Sequence, residues 1–147
     1  MRLPSVAIFC IVAVQVPLSL QAPQTWASTT EPTTSRVCQI YFEHDSSTLT
    51  PEAVVVVNDM IRRIKKIHPR VITIIGHADR TGPAGYNSML SKQRALSVAS
   101  FMKIGLSPER YIVKVLGHGE YGLPYPTRDG VPEPLNRCVG FTTAPSR

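Results

Sequence analysis

The chain has 147 residues, 43% of them hydrophobic and 18% charged, which is enough apolar side chain for one folded domain and too much for a disordered tail. Against 10 Asp and Glu stand 16 Lys and Arg, leaving a formal charge of +6. That balance favours acidic partners without choosing among nucleic acid, anionic lipid and an acidic polymer. The one basic cluster, Arg62, Arg63, Lys65 and Lys66, reads first as the solvated face of a helix.

In chain order, Arg2 precedes an apolar stretch from Val6 to Leu20, broken by Gln15, Pro17 and Ser19. It is too interrupted for a membrane span of about 20 residues and suits the apolar region of an export signal. Residues 1–27 are therefore expected to be a signal peptide cut after Ala27, with an uncleaved anchor as the alternative. Cys10 would leave with it. Residues 28–35, STTEPTTS, are polar and Thr-rich and form a linker. A single domain over residues 36–143 follows, with a tail at 144–147.

Val37 to Phe42 alternates as a first strand. Thr50-Pro51-Glu52 opens a helix, with a capping hydroxyl, a proline at the first helical position and an acid against the dipole. Val54, Val57, Ile61 and Ile64 give that helix an apolar face, and it should stop before Pro69. Val71 to Ile75 is a buried strand. After a loop from Gly76 to Gly85, Tyr86 to Lys103 is helical, with Leu90, Val98 and Phe101 inward and Gly105 as the stop. Ser107-Pro108-Glu109 starts one more helical turn, and Tyr111 to Leu116 is a third strand. Gly117 to Leu135 is irregular, and Arg137 to Thr142 closes the sheet. The order β-α-β-α-β-β predicts a two-layer α/β (α+β) sandwich, with a mixed four-stranded sheet and its helices on one face.

Two segments beyond strand ends carry chemistry: Gly76-His77-Ala78-Asp79 and Gly117-His118-Gly119-Glu120. Imidazoles and carboxylates there make a metal-dependent hydrolase using His77, Asp79, His118 and Glu120 one reading. Neither segment has a strong metal motif, and no nucleophile elbow or phosphate loop is present. No basic strand carries interleaved aromatics, so nucleic acid is not an expected partner.

A longer pattern runs through the chain: IYFEHDSSTLTPEA, GHADRTG, YNSMLSKQRALSV, GLSPERY, GHGEYGLPYP and NRCV, in this order from about Ile40 to Phe141. It resembles the OmpA-like domain of OmpA, the peptidoglycan-associated lipoprotein and MotB. The resemblance implies a non-enzymatic, cofactor-free module of the periplasm that binds the peptidoglycan peptide stem and supports envelope integrity. Outer-membrane or other envelope proteins, and a second copy of the chain, are further partners that it allows. The family's ligand, diaminopimelate, ends in a zwitterion, which calls for one anion and one forked cation. By resemblance these are Asp79 and Arg94, with Asn87 two turns before Arg94 ordering the loop and Arg137 matching the first arginine of the family's NRR. A plain Asp79–Arg94 ion pair, or a fold that has lost its ligand and serves as an interaction module, are the rival readings. The chain departs from the family at His44, where an aromatic is usual, at Ala78 for threonine, at Cys138 for the second arginine, and at Pro132 and Pro134, where a short helix is usual.

The same resemblance makes the first and last strands antiparallel neighbours. With Cys38 and Cys138 both near strand starts, an offset of about four residues puts their Cα atoms more than about 10 Å apart, beyond disulfide reach. The expectation is therefore that they do not bond within one chain.

Overall fold

A computed structural model describes residues 38–144. The expected signal peptide, the linker and residues 145–147 lie outside the described residues. The elements are β1 (Cys38–Tyr41), α1 (Pro51–Ile67), β2 (Val71–Gly76), α2 (Ala84–Gly105), β3 (Ile112–Gly117), a 3-10 turn (Pro134–Asn136) and β4 (Cys138–Ala144).

Local chemistry sets the helix ends. Thr50 Oγ1 accepts from Ala53 N–H at 3.2 Å, Pro51 takes the first turn, and Glu52 sits beside the unsatisfied N–H groups. At the other end His68 turns left-handed (φ 46°) and its N–H closes on Ile64 O, just before Pro69. The buried face of α1 is Ala53, Val57, Met60, Ile61 and Ile64. Val54, expected on that face, is half-buried. Helix α2 begins two residues earlier than predicted. Gly105 is its last residue rather than the stop beyond it, and an added Cβ there would stand 3.0 Å from Ile61 Cδ1. Residues 107–110 form a turn closed by Arg110 N–H on Ser107 O at 3.1 Å, not a further helix. Pro134 occupies the first position of the 3-10 turn, where its missing N–H costs nothing.

The sheet order is β1-β4-β2-β3. Strands β2 and β3 run parallel, and β4 is antiparallel to both β2 and β1. Ile72 and Ile74 of β2, Val139 of β4 and Ile40 of β1 have no exposed surface and meet the buried faces of α1 and α2. This is the mixed, two-layer α+β arrangement that the sequence predicts. Burial of each such side chain is worth about 1.5–3 kcal/mol.

The cysteine expectation is overturned: Cys38 and Cys138 form a disulfide, with Cα atoms 5.6 Å apart. The error lies in the register. Strand β1 pairs only with the start of β4, Tyr41 opposite Cys138 and Ile40 opposite Val139. A bulge at Gln39 then sets Cys38 opposite Gly140. An extra residue shortens the offset and turns Cys38 to the other face of the strand. That is the face away from the helices, where Cys138 also points. Replacing both cysteines by serine should lower the unfolding free energy by about 2–4 kcal/mol. Urea unfolding checks this, alongside non-reducing peptide mapping that recovers the linked pair. A midpoint that does not move on reduction would contradict the bond.

Candidate functional site

The site is built where β2 and β3 end. Gly76 and Gly117 are register partners at the strand ends, and α2 lies directly on them. A Cβ on Gly76 would overlap Ser91 O, and one on Gly117 would come within 2.7 Å of Lys92 N. These glycines serve close helix approach. Ser91, which sequence reasoning passed over, is fully buried. Its Oγ donates to Ser88 O and accepts from Gly119 N–H, both at 2.8 Å. Beyond the strands, His77 N–H donates to Cys138 O and Ala78 N–H to Gly119 O, each at 2.8 Å. The loop carrying Asp79 is thus held on both sides.

Arg94 reaches in from α2 and has no exposed surface. Its Nε donates to Ser46 O (2.8 Å), Nη1 to His77 O (3.1 Å) and Nη2 to Glu43 O (3.0 Å). The Phe42 ring lies beneath, 5.5 Å from Cζ. Burial pushes its pKa down to about 10, with the Asp79 charge opposing the fall. Asp79 is buried as well, and its ion pair is with Arg137 Nη1 at 3.2 Å, not with Arg94. Burial raises the Asp79 pKa, but bonds from Thr81 Oγ1 (2.5 Å), Arg137 and the N–H groups of Thr81 and Glu133 outweigh it. The carboxyl stays below its ordinary value. Arg137 Nε also donates to Phe42 O at 3.3 Å. Asn87, fully buried on α2, donates through Nδ2 to Glu120 Oε2 at 2.8 Å. It therefore ties the helix start to the loop after β3. Asn136 clamps the Gly/Pro-rich loop through paired bonds with Tyr125 N–H (3.0 Å) and O (2.7 Å).

Asp79, Arg94, Asn87 and Arg137 all line one cleft of about 430 Å³, rimmed by His44, Asp45 and Tyr86. The Tyr86 hydroxyl donates to Asp45 across its mouth. The volume falls in the range of small-ligand sites. A second cavity of about 440 Å³ lies on the helix-free face, lined by Ile75, His77, His118 and Tyr121 among others. There the two imidazoles meet edge to face, ring centroids 5.4 Å apart. The carboxylates of the hydrolase reading are not with them: Asp79 is held by Thr81 and Arg137, Glu120 by Asn87. Among the described residues no group of three or more His, Cys, Asp or Glu is placed to hold a metal.

The OmpA family model matches residues 41–136, and the chain belongs to the OmpA family. Over 73 residues it is 36% identical to the peptidoglycan-associated lipoprotein of Pseudomonas aeruginosa, a match covering 49% of this chain and 43% of that one. The OmpA-like domain of FopA1 from Francisella tularensis shares the fold with a TM-score of 0.61 and 27% identity, over 72% of this chain and 70% of that one. The cell wall anchor of the T6SS from Pseudomonas aeruginosa has a TM-score of 0.57 at 20% identity, over 72% and 76%. The chain spans less than half the length of the curated relatives it matches first.

Arg94→Ala would leave three carbonyl oxygens without their donor and should destabilise the domain by about 3 kcal/mol or more. Arg94→Lys keeps the charge but not the fork, and should recover only part of the loss in urea unfolding. Full recovery by lysine would show that charge alone suffices. Asp79, with its lowered pKa, stabilises the fold above the ordinary value of 3.8. That contribution is lost as pH falls through the folded-state pKa. Stability measured against pH below 3.8 should therefore fall less steeply in Asp79→Asn than in the parent.

Proposed function

We propose that this domain is a non-catalytic module that binds the peptide stem of peptidoglycan through the diaminopimelate zwitterion. The observation that carries the reading is one buried carboxylate and two guanidinium groups lining a single cleft. Asp79 takes the ligand's ammonium. Arg94 commits three of its five N–H groups to the scaffold, which leaves two for a carboxylate. In the free domain Arg137 occupies Asp79 Oδ2. The ligand's ammonium replaces it there, and the displaced guanidinium turns to the ligand's carboxylate. Each charge thus trades one ionic partner for another, which limits the cost of desolvation. No cofactor enters this scheme.

The names of the relatives support the reading: one is a peptidoglycan-associated lipoprotein and another is a cell wall anchor. The expected export signal fits a protein that works in the periplasm, against the wall and near the outer membrane.

Asp79→Ala is expected to weaken binding to purified peptidoglycan sacculi by about 2–5 kcal/mol. The loss should appear as disappearance from the sacculus pellet at concentrations where the parent co-sediments. Free diaminopimelate should release the parent. A variant that still pellets like the parent would place the ligand elsewhere.

A further inference from the structure

The pole of the molecule opposite the cleft has a character of its own. Helices α1 and α2 both run away from the cleft and end side by side, Ile61 packed against Gly105. The start of β2 joins them: Arg70 N–H donates to Ala144 O at 3.1 Å, and its carbonyl accepts from Ile112 N–H at 3.0 Å. On α1 this pole carries Arg62, Arg63, Lys65 and Lys66, all exposed. Lys103, Arg70 and Arg110 are exposed on the neighbouring segments. Within residues 59–70 and 103–112 the carboxylates are Asp59 and Glu109. Asp59 is shared by Arg62 (3.1 Å) and Arg63 (2.7 Å), so most of the positive charge is uncompensated.

Cations at helix C-termini offset the dipole, and that alone would explain Lys65, Lys66 and Lys103. It does not explain the apolar side chains among them. Ile104 is 84% exposed and Ile67 59%. One exposed isoleucine is ordinary. Two at the ends of adjacent helices, with lysine and arginine on the same segments, make an amphipathic surface of the kind that sits in a lipid headgroup layer. The exposed aromatics that single-stranded nucleic acid would stack on are missing from these two segments, where Tyr111 is buried.

We infer that this pole docks on an anionic phospholipid bilayer, with Ile67 and Ile104 entering the interface and the surrounding cations over the lipid phosphates. The inference stands on the pole alone and does not depend on what the cleft binds. If the cleft holds the wall, the two opposed surfaces let one small domain bridge wall and membrane.

The test is co-sedimentation of the full chain with vesicles of phosphatidylcholine alone or mixed with phosphatidylglycerol. Binding should require the anionic lipid and weaken as salt is raised. Lys65→Glu with Lys66→Glu should lower partitioning more than about tenfold. Ile67→Ser with Ile104→Ser should lower it about tenfold, and Asp79→Ala should leave it unchanged. Equal binding to both vesicles would assign it to the apolar stretch at residues 6–20 and overturn the inference. Binding lost in the lysine variant but intact in the isoleucine variant would mark a purely electrostatic patch suited to an acidic protein. No binding to either vesicle would overturn it as well.

Discussion

A guanidinium group removed from water organises this domain. Burying a lone cation costs several kcal/mol, and Arg94 is tolerated because three carbonyls, an aromatic face and a nearby carboxylate replace its hydration. The carbonyls come from two separate loops, Glu43 and Ser46 after β1 and His77 after β2. One planar group therefore sets the distance between the walls of the cleft. Its own position depends on α2 resting on Gly76 and Gly117, so the geometry of the cleft traces back to two missing side chains.

Much of this was readable in the sequence, and the parts that were not share a cause. Thr50-Pro51-Glu52, the β-branched run at Val71 and the break at Pro69 are local signals, and they placed α1 and β2 closely. Helix α2 was harder because its buried stripe near the cleft is polar. Asn87, Ser91 and Arg94 lie inside at helical spacing, so hydropathy loses the period where burial keeps it. The family resemblance pointed to Asn87 and Arg94, whereas Ser91 had no such pointer. The spacing of these three polar residues was the available signal. Asp79 pairing with Arg137 rather than Arg94 is a matter of tertiary distance between residues 58 positions apart. The bulge at Gln39 has no mark in the stretch CQIY, and that single inserted residue reversed the disulfide expectation.

The repeated Gly-His segments also take on different meanings in three dimensions. In the sequence they look equivalent, each an imidazole and a carboxylate beyond a strand. In the fold the histidines turn to the helix-free face and contact one another, while the carboxylates stay on the helix side and serve different partners. Asp79 faces the cleft beside Arg137, and Glu120 fixes the start of α2 through Asn87. The strand ends thus sort imidazole from carboxylate, and the charged cleft is separated from the cavity behind it.

The disulfide also decides how the domain bears a pull. It joins residues 100 positions apart, at the first described strand and the last. Tension applied to the chain ahead of Cys38 and after Cys138 crosses from one sulfur to the other, and the helices between them carry none of it. The load is delivered to Cys138, whose neighbour Arg137 touches Asp79. A domain strapped in this way cannot be drawn out like a thread from its ends. Under such a pull the polypeptide between the cysteines, and the cleft built from it, stays wound.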